Sequence, residues 1–122
     1  MPKVLLVEDD APTVELIQMV LKPKGFEITH TADGSEAFGL AKLGQPDIIL
    51  LDMMLPQLDG YSIQMQLLED EQTRQIPVIV MTSKSGLEEV FKTATNVASF
   101  IAKPFNFKDL LEKIQTALTK KS

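Results

Sequence analysis

The sequence contains no cysteine and no tryptophan, only one tyrosine, and a single arginine, Arg74. Without cysteine, the chain has no disulfide framework, no thiolate nucleophile and no zinc–thiolate site, which suits a reducing cytosol. The net charge is −5, whereas nucleic-acid binding needs a basic surface and stacking platforms. We therefore expect no direct contact with nucleic acid.

Long apolar runs and glycine-rich phosphate loops are also missing. No stretch approaches the ~20 apolar residues that span a membrane, and the short apolar run Val4–Val7 near the amino end is too short for a signal peptide. Neither GxGxxG nor GxxxxGK[ST] occurs, so there is no visible means of binding a nucleotide. A chain of 122 residues without linker or repeat suits one domain. We expect residues 1–122 to form a single cytoplasmic domain, with no membrane contact and no output domain in this chain.

Short apolar runs alternate with amphipathic stretches along the chain. The predicted strands are Val4–Val7, an edge-type segment from Phe26 to His30, Ile48–Leu51, Val78–Met81 and Phe100–Ala102. The predicted helices are Pro12–Leu21, one around Ala37–Ala41, Tyr61–Glu69, Leu87–Ala94, and a last one capped by Asn106 that includes Leu110, Leu111, Ile114 and Leu118. Five strand–helix units in this order predict an α/β fold with a parallel sheet covered on both faces.

Asp52 stands out because it ends the most apolar strand. The unbroken run Ile48–Leu51 is typical of a strand buried on both faces. A loop containing Pro56 and Gly60 follows the acid. In open α/β sheets, ligands bind at the carboxyl ends of the strands. The alternative is that Asp52 merely caps the next helix. The residues at the ends of the other strands distinguish between these two interpretations.

Four of the five predicted strands end in polar or ionic side chains. They are Glu8-Asp9-Asp10, Asp52, Thr82-Ser83 and Lys103. Parallel strands bring these groups to one edge, where crowded carboxylates are tolerable if a hard cation such as Mg²⁺ joins them. A lysine and a hydroxyl suit phosphoryl oxygens, and an aspartate can be the nucleophile that forms an aspartyl phosphate. The pattern predicts phosphoryl transfer or binding, while the only histidine, His30, is expected to have a structural or surface role.

In combination, these motifs resemble the receiver domain of two-component response regulators, of the single-domain chemotaxis-regulator type, over essentially the whole chain. The matching motifs are Val-Glu-Asp-Asp, Leu-Asp-Met-Met-Leu-Pro-x-x-Asp-Gly, Met-Thr-Ser and Lys-Pro-Phe. The resemblance implies a flavodoxin-like, doubly wound, five-stranded parallel sheet of order 2-1-3-4-5 with five helices. It also implies a phosphorylation-dependent signalling switch rather than an enzyme, limited to self-phosphorylation and slow autodephosphorylation.

The resemblance assigns a role to each acidic position. Asp52 matches the phosphoacceptor. Glu8 and Asp9 match the acidic pair that holds Mg²⁺ with Asp52, and the backbone carbonyl of Met54 would be a further metal ligand. Asp10 is a less certain third acid. The phosphoryl donor would be a histidine kinase or a phosphotransfer protein.

The remaining site positions concern the switch. Thr82 and Lys103 match the residues that contact the phosphoryl oxygens, and Phe100 matches the aromatic switch position. Phosphorylation would draw Thr82 toward the phosphoryl group and let Phe100 rotate. This would change the face of the fourth helix, fifth strand and fifth helix, where a downstream protein binds, in a monomer or a phosphorylation-dependent dimer.

Two features depart from the family pattern, and two alternative functions remain. The segment Thr93–Ser99 lacks the usual Gly-Ala-Asp, with the interval from Thr82 to Lys103 about one residue short, and Phe100 replaces a common tyrosine. One alternative is a magnesium-dependent aspartyl-phosphate phosphohydrolase. It is disfavoured because Met54 occupies the position, two residues after Asp52, where such an enzyme needs a general acid. The other is a non-phosphorylated pseudo-receiver interaction module, which is disfavoured because every chemical position is filled.

Overall fold

The described part of the chain forms five short strands and four α-helices. The computed structural model describes residues 2–55, 59–83, 91 and 94–120. The strands are β1 (Lys3–Val7), β2 (Glu27–Thr31), β3 (Ile48–Asp52), β4 (Val78–Thr82) and β5 (Val97–Ala102). The described α-helices are α1 (Ala11–Leu21), α2 (Ala37–Gly44), α3 (Gly60–Glu69) and α4 (Phe107–Lys120), with 3₁₀ turns at Lys22–Lys24 and Gly34–Glu36. The predicted helix at Leu87–Ala94 lies almost entirely outside the described residues.

All neighbouring strands pair in parallel, in the order β2-β1-β3-β4-β5. This confirms the flavodoxin-like, doubly wound sheet. All five residues of β3 are buried, as its unbroken apolar run predicts for a central strand. The strand β2 lies at an edge and leaves Glu27, Thr29 and His30 exposed, which confirms the prediction from its alternating pattern.

Helices cover both faces of the sheet and bury two apolar clusters. On the first face, α1 and α4 pack on alternate strand residues, among them Leu6, Leu50 and Ile101. On the second face, α2 and α3 pack on the intervening residues, including Leu51 and Val80. None of the described helices has the length and apolar character needed to cross a bilayer.

The predicted ends of α1 and the predicted cap of α4 are confirmed. Pro12 lies in the first turn of α1, where its missing N–H is harmless. The chain turns after that helix at Gly25, whose φ of 93° is left-handed and therefore favours glycine. Asn106 caps α4, since its Oδ1 accepts the N–H of Asp109 at 2.7 Å.

The predicted start of β5 was wrong. The strand begins at Val97 and not at Phe100. Ser99, rather than Ala98, pairs with Ile79, so Ala98 is an extra residue in a β-bulge. A bulge breaks the alternation of side chains between faces, and for this reason the period-two pattern did not indicate a strand there.

Replacing Asn106 with alanine should lower the free energy of unfolding by about 1 kcal/mol. The reason is that the N–H of Asp109 loses its acceptor at 2.7 Å. Urea denaturation followed by circular dichroism measures the loss. The control is Asn106→Ser, which retains a capping oxygen and should lose much less. Equal losses in both variants would contradict the capping role.

Candidate functional site

The strand ends that the sequence singled out meet at one edge of the sheet. Glu8 and Asp9 follow β1, while Asp52 and Thr82 are the last residues of β3 and β4. Lys103 follows β5, and its N–H donates to the carbonyl of Thr82 at 2.8 Å. Because the strands are parallel, all of these residues lie at the carboxyl edge.

Glu8 is fully buried and is fixed by hydrogen bonds around it. Its N–H donates to the carbonyl of Thr31 at 3.1 Å. Its own carbonyl accepts from His30 Nε2 at 2.9 Å, so this histidine makes a structural contact beside the site. The N–H of Asp10 donates to Glu8 Oε2 at 3.1 Å. The second carboxylate oxygen, Oε1, is oriented toward the end of β5.

Lys103 joins two buried carboxylates. Its Nζ lies 2.5 Å from Glu8 Oε1 and 3.4 Å from Asp52 Oδ1, and Asp52 is only 4% exposed. Burial is the main cause that raises the pKa of Glu8 to about 7, and the charge of Asp52 adds to the rise. The hydrogen bond from Lys103 lowers this pKa but only partly offsets the rise. Glu8 therefore exchanges its proton near neutral pH in the metal-free protein.

The lysine keeps its charge in this environment. Burial acts to lower the pKa of Lys103, but the hydrogen bond to Glu8 and the negative charge of Asp52 outweigh it, so the pKa is raised overall. The two shifts have different main causes, since burial dominates for Glu8 and attraction dominates for the lysine. When both carboxylates are ionised, one ammonium faces two negative charges, so the group favours a further proton or cation.

Three carboxylates at this edge could share a metal ion. One oxygen each from Glu8, Asp9 and Asp52 lie within 4.8 Å of one another. Asp9 is exposed, so a cation could enter from solvent. With Lys103, this set of four side chains carries two uncompensated negative charges when all are ionised. All-oxygen donors and this charge fit Mg²⁺.

Asp10 has a different structural role, as a helix cap. It is the N-cap of α1, and its side chain accepts from the N–H of Thr13 at 3.2 Å and from the Thr13 hydroxyl. The hydrogen bonds from Thr13 lower the pKa of Asp10. The structure thus brings Glu8, Asp9 and Asp52 together and places Asp10 in a helix cap.

The backbone directly after β3 stays close to Asp52. The N–H of Met54 donates to Asp52 Oδ1 at 3.4 Å, while the Met54 side chain is 54% exposed. The loop closes where the N–H of Gly60 donates to the carbonyl of Met53 at 3.0 Å. The predicted metal contact of the Met54 carbonyl stays a prediction.

The two predicted switch residues lie on neighbouring strands. Thr82 is 5% exposed at the end of β4. Phe100 is half-buried on the second face, and its ring centroid lies 5.7 Å from that of Phe91. Phe91 in turn lies 5.7 Å from Tyr61.

Sequence reasoning missed the interior contacts behind the site. Phe91 bridges Phe100 and Tyr61, and Gln64 on α3 hydrogen bonds to Asn96. The one available signal was the glutamine itself, which follows an inward-facing residue of α3. Its partner lies 32 positions away, where no local pattern indicates pairing.

Comparison with known proteins identifies relatives of this arrangement. A family model described as "Response regulator receiver domain" matches residues 4–115. The chain is 34% identical over 121 residues to the polar-differentiation response regulator DivK of Brucella anthropi, covering 97% of this chain and 98% of DivK. It is 31% identical over 119 residues to the DNA-binding dual master transcriptional regulator RpaA of Synechocystis, covering 97% of this chain but 49% of RpaA. The chain thus spans about half of RpaA's length.

Solved structures show the same similarity. The receiver domain of the sensor histidine kinase PA1611 of Pseudomonas aeruginosa has a TM-score of 0.88 and 32% identity, covering 97% of this chain and 98% of that one. That structure has a magnesium ion coordinated in its active-site cleft. The chemotaxis response regulator CheY4 of Vibrio cholerae has a TM-score of 0.87 and 27% identity, covering 96% of this chain and 98% of that one.

Gly60→Ala should destabilise the protein by about 1 to 3 kcal/mol. A Cβ at this position would lie 2.9 Å from the Cα of Met53 and 3.0 Å from the carbonyl oxygen of Asp52, so the loop beside the site must shift. The control is Gly39→Ala in α2, where nothing lies within 4 Å of the added atom. It should stabilise the protein by up to about 1 kcal/mol. Urea denaturation compares the two, and similar effects would contradict the close approach at Gly60.

The metal-free protein should lose stability as the pH rises from about 5 to about 8. The pKa of Glu8 is raised from 4.5 to about 7 by folding, so in this range the folded state binds a proton that the unfolded state has lost. The stability is fully present below pH 4.5 and is lost through pH 7, by up to about 3 kcal/mol. Urea denaturation in EDTA at several pH values measures this slope. The Glu8→Gln variant should lack that component, and an unchanged slope would rule out Glu8 as its source.

Proposed function

The chain belongs to the response regulator receiver domain family, and on that basis we propose that it is a signalling switch phosphorylated on Asp52. The observation that carries the proposal is the position of Asp52. Its buried carboxylate lies at the carboxyl edge, 3.4 Å from the ammonium of Lys103 and within 4.8 Å of two further carboxylates. A carboxylate between a fixed cation and a candidate cation site can attack an anionic phosphoryl group.

Asp52, Lys103 and Thr82 have separate roles in the transfer of the phosphoryl group. An oxygen of Asp52 attacks the phosphorus of a phosphohistidine donor; the new P–O bond forms as the P–N bond breaks, and the bond electrons leave with the histidine nitrogen. The ammonium of Lys103 attracts a phosphoryl oxygen, and the hydroxyl of Thr82 donates to another. These contacts orient the group and offset its charge.

Glu8, Asp9 and Asp52 would hold Mg²⁺, with the backbone carbonyl of Met54 as a further ligand. When bound, the metal ion neutralises charge on the phosphoryl oxygens. Lys103 would then exchange part of its contact with Glu8 for the phosphoryl group, because Glu8 would gain a second cationic partner.

The signal would pass from Asp52 through Thr82 to Phe100. A phosphoryl group adds roughly −1.5 to −2 charge and strong acceptor oxygens, which attract the Thr82 hydroxyl. The space that Thr82 leaves lets Phe100 rotate. The surface that changes is formed by β5, α4 and the predicted helix Leu87–Ala94, of which only Phe91 and Ala94 are among the described residues. A downstream protein would bind there, with a histidine kinase or phosphotransfer protein as donor.

A phosphohydrolase would use the same aspartyl chemistry but needs a general acid near the nucleophile. The residue two positions after Asp52 is Met54, whose thioether carries no transferable proton. The methionine at this position therefore favours a phosphoryl group that is lost slowly, without enzymatic turnover of other substrates.

Incubation with acetyl phosphate and Mg²⁺ should add one base-labile phosphoryl group per chain, detected by intact mass. Asp52→Asn should abolish the label because the nucleophile is gone, and EDTA should suppress it. Asp70→Asn is the matched control. Asp70 is the C-cap of α3, at the opposite end of that helix from Gly60, so this variant should label normally.

Three results would contradict the proposal. A labelled Asp52→Asn variant would place the phosphoryl group elsewhere. Rapid turnover of unrelated phosphate esters would favour the phosphohydrolase. A folded wild-type protein that takes no label from acetyl phosphate or from a phosphorylated histidine kinase would favour a pseudo-receiver.

A further inference from the structure

Two amide side chains are buried together where α3 meets the start of β5. Gln64 is 0% exposed and Asn96 is 4% exposed. Gln64 Nε2 donates to Asn96 Oδ1 at 2.8 Å, and Asn96 Nδ2 donates to the carbonyl of Gln64 at 3.3 Å. The carbonyl of Asn96 also accepts the N–H of Val78 at 2.8 Å. Asn96 is thus joined to α3 by its side chain and to β4 by its main chain.

A pair of apolar side chains would fill this space at lower cost. Buried amides are unfavourable unless their donors and acceptors are matched, and Gln64 Oε1 finds no partner among the described residues. Unlike an apolar contact, reciprocal amide hydrogen bonds specify one relative position of the two segments. The pair therefore suits a role in positioning the start of β5.

The segment that Asn96 positions contains the bulge. Val97 and Phe100 both pack on the second face although they are three residues apart, and Ile101 packs on the first. Alternation would put residues three apart on opposite faces, so the extra residue Ala98 has reversed the pattern. The two ends of β5 are thus one residue out of step relative to β4.

Without the bulge, β5 could pair with β4 in either of two registers. If Asn96 stayed in place, the later residues would slip by one, which would move Phe100 to the first face and displace the buried Ile101 and the ion pairs of Lys103. If these later residues stayed, Ala98 would pair with Val78 and Asn96 would leave Gln64. The second register preserves the core and the site, so it is the one that loss of the amide contact would release.

The start of β5 is linked to the ring behind Phe100. The N–H of Val97 donates to the carbonyl of Ala94 at 3.1 Å, and the N–H of Ala94 donates to the carbonyl of Phe91 at 2.9 Å. A one-residue shift at Asn96 would therefore move Phe91 away from the ring of Phe100, now 5.7 Å from it between centroids.

We infer that the Gln64–Asn96 pair fixes the bulged register of β5 and thereby keeps Phe91 packed against Phe100. Both amides are positioning residues, because neither touches the carboxylates or Lys103. Insofar as Phe100 is the switch, this inference rests on the proposed function, and the pair then sets the resting arrangement of that switch. The register and the ring contact are both present in the unphosphorylated chain, so they can be tested without phosphorylation.

The test uses nuclear Overhauser contacts in the unphosphorylated chain. Wild type should show Val78 paired with Val97 and the ring contact between Phe91 and Phe100. In Gln64→Leu and in Asn96→Ala, Val78 should instead contact Ala98, and the ring contact should be lost. The contact between Val80 and Phe100 should persist, because the later part of β5 stays in place.

Thr73→Val is the matched control. The Thr73 hydroxyl donates to the carbonyl of Leu67 at 2.6 Å, so this variant also loses a buried hydrogen bond to α3, but it leaves β5 untouched and should keep the wild-type contacts. If a single variant fails to fold, the double variant Gln64→Leu/Asn96→Leu removes both polar partners, which can be nearly neutral for stability. It should still show the straight register.

Two outcomes would overturn the inference. One is that Gln64→Leu, Asn96→Ala and the double variant keep the Val78–Val97 pairing and the ring contact. The other is loss of the Val80–Phe100 contact, which would mean that the site end of β5 slips. Labelling by acetyl phosphate is a separate arm, in which Gln64→Leu should label at the wild-type rate. Failure of wild type to label would refute the proposed function and leave the register result standing.

Discussion

The contact between Lys103 and the buried carboxylates of Glu8 and Asp52 ties the carboxyl edge of the sheet together. The lysine follows β5 at one side of the sheet, whereas Glu8 follows β1, which is separated from β5 by two other strands. The contact forms only if every intervening strand is in register, since a shift of one residue is about 3.3 Å. Removing Lys103 would leave the buried carboxylates of Glu8 and Asp52 without this cation, and breaking a buried pair typically costs about 3–5 kcal/mol. Fold and site are therefore mutually dependent.

The parallel sheet and the meeting of the strand ends at one edge could be predicted because both follow from local signals, whereas the strand order was implied by the resemblance to the receiver family. Apolar runs such as Ile48–Leu51 mark buried strands, and the alternation from Phe26 to His30 marked an edge. Once the sheet is parallel, the residue after each run must lie at the same edge. That placed Glu8, Asp52 and Lys103 together without any knowledge of their distances.

Other features depended on contacts that no local pattern encodes. The bulge at Ala98 hides β5 from a period-two search, so the start at Val97 was missed. The reciprocal amide contact between Gln64 and Asn96 joins segments distant in sequence. That Lys103 lies nearer to Glu8 than to Asp52 depends on the longer reach of a glutamate and on the backbone hydrogen bonds that orient it. These features belong to packing, where side-chain length and angle decide the outcome.

The ring contacts around Phe91 have a consequence for spectroscopy. Tyr61 is the only tyrosine, and the chain has no tryptophan, so near-ultraviolet emission beyond that of phenylalanine arises from a single ring. That ring lies 5.7 Å from Phe91, which lies 5.7 Å from Phe100. Half-exposed phenols are sensitive to neighbouring dipoles and to solvent, and no brighter indole is present to accept the excitation energy. The unlabelled chain thus contains its own optical reporter, separated by one aromatic neighbour from the residue whose rotation would matter most.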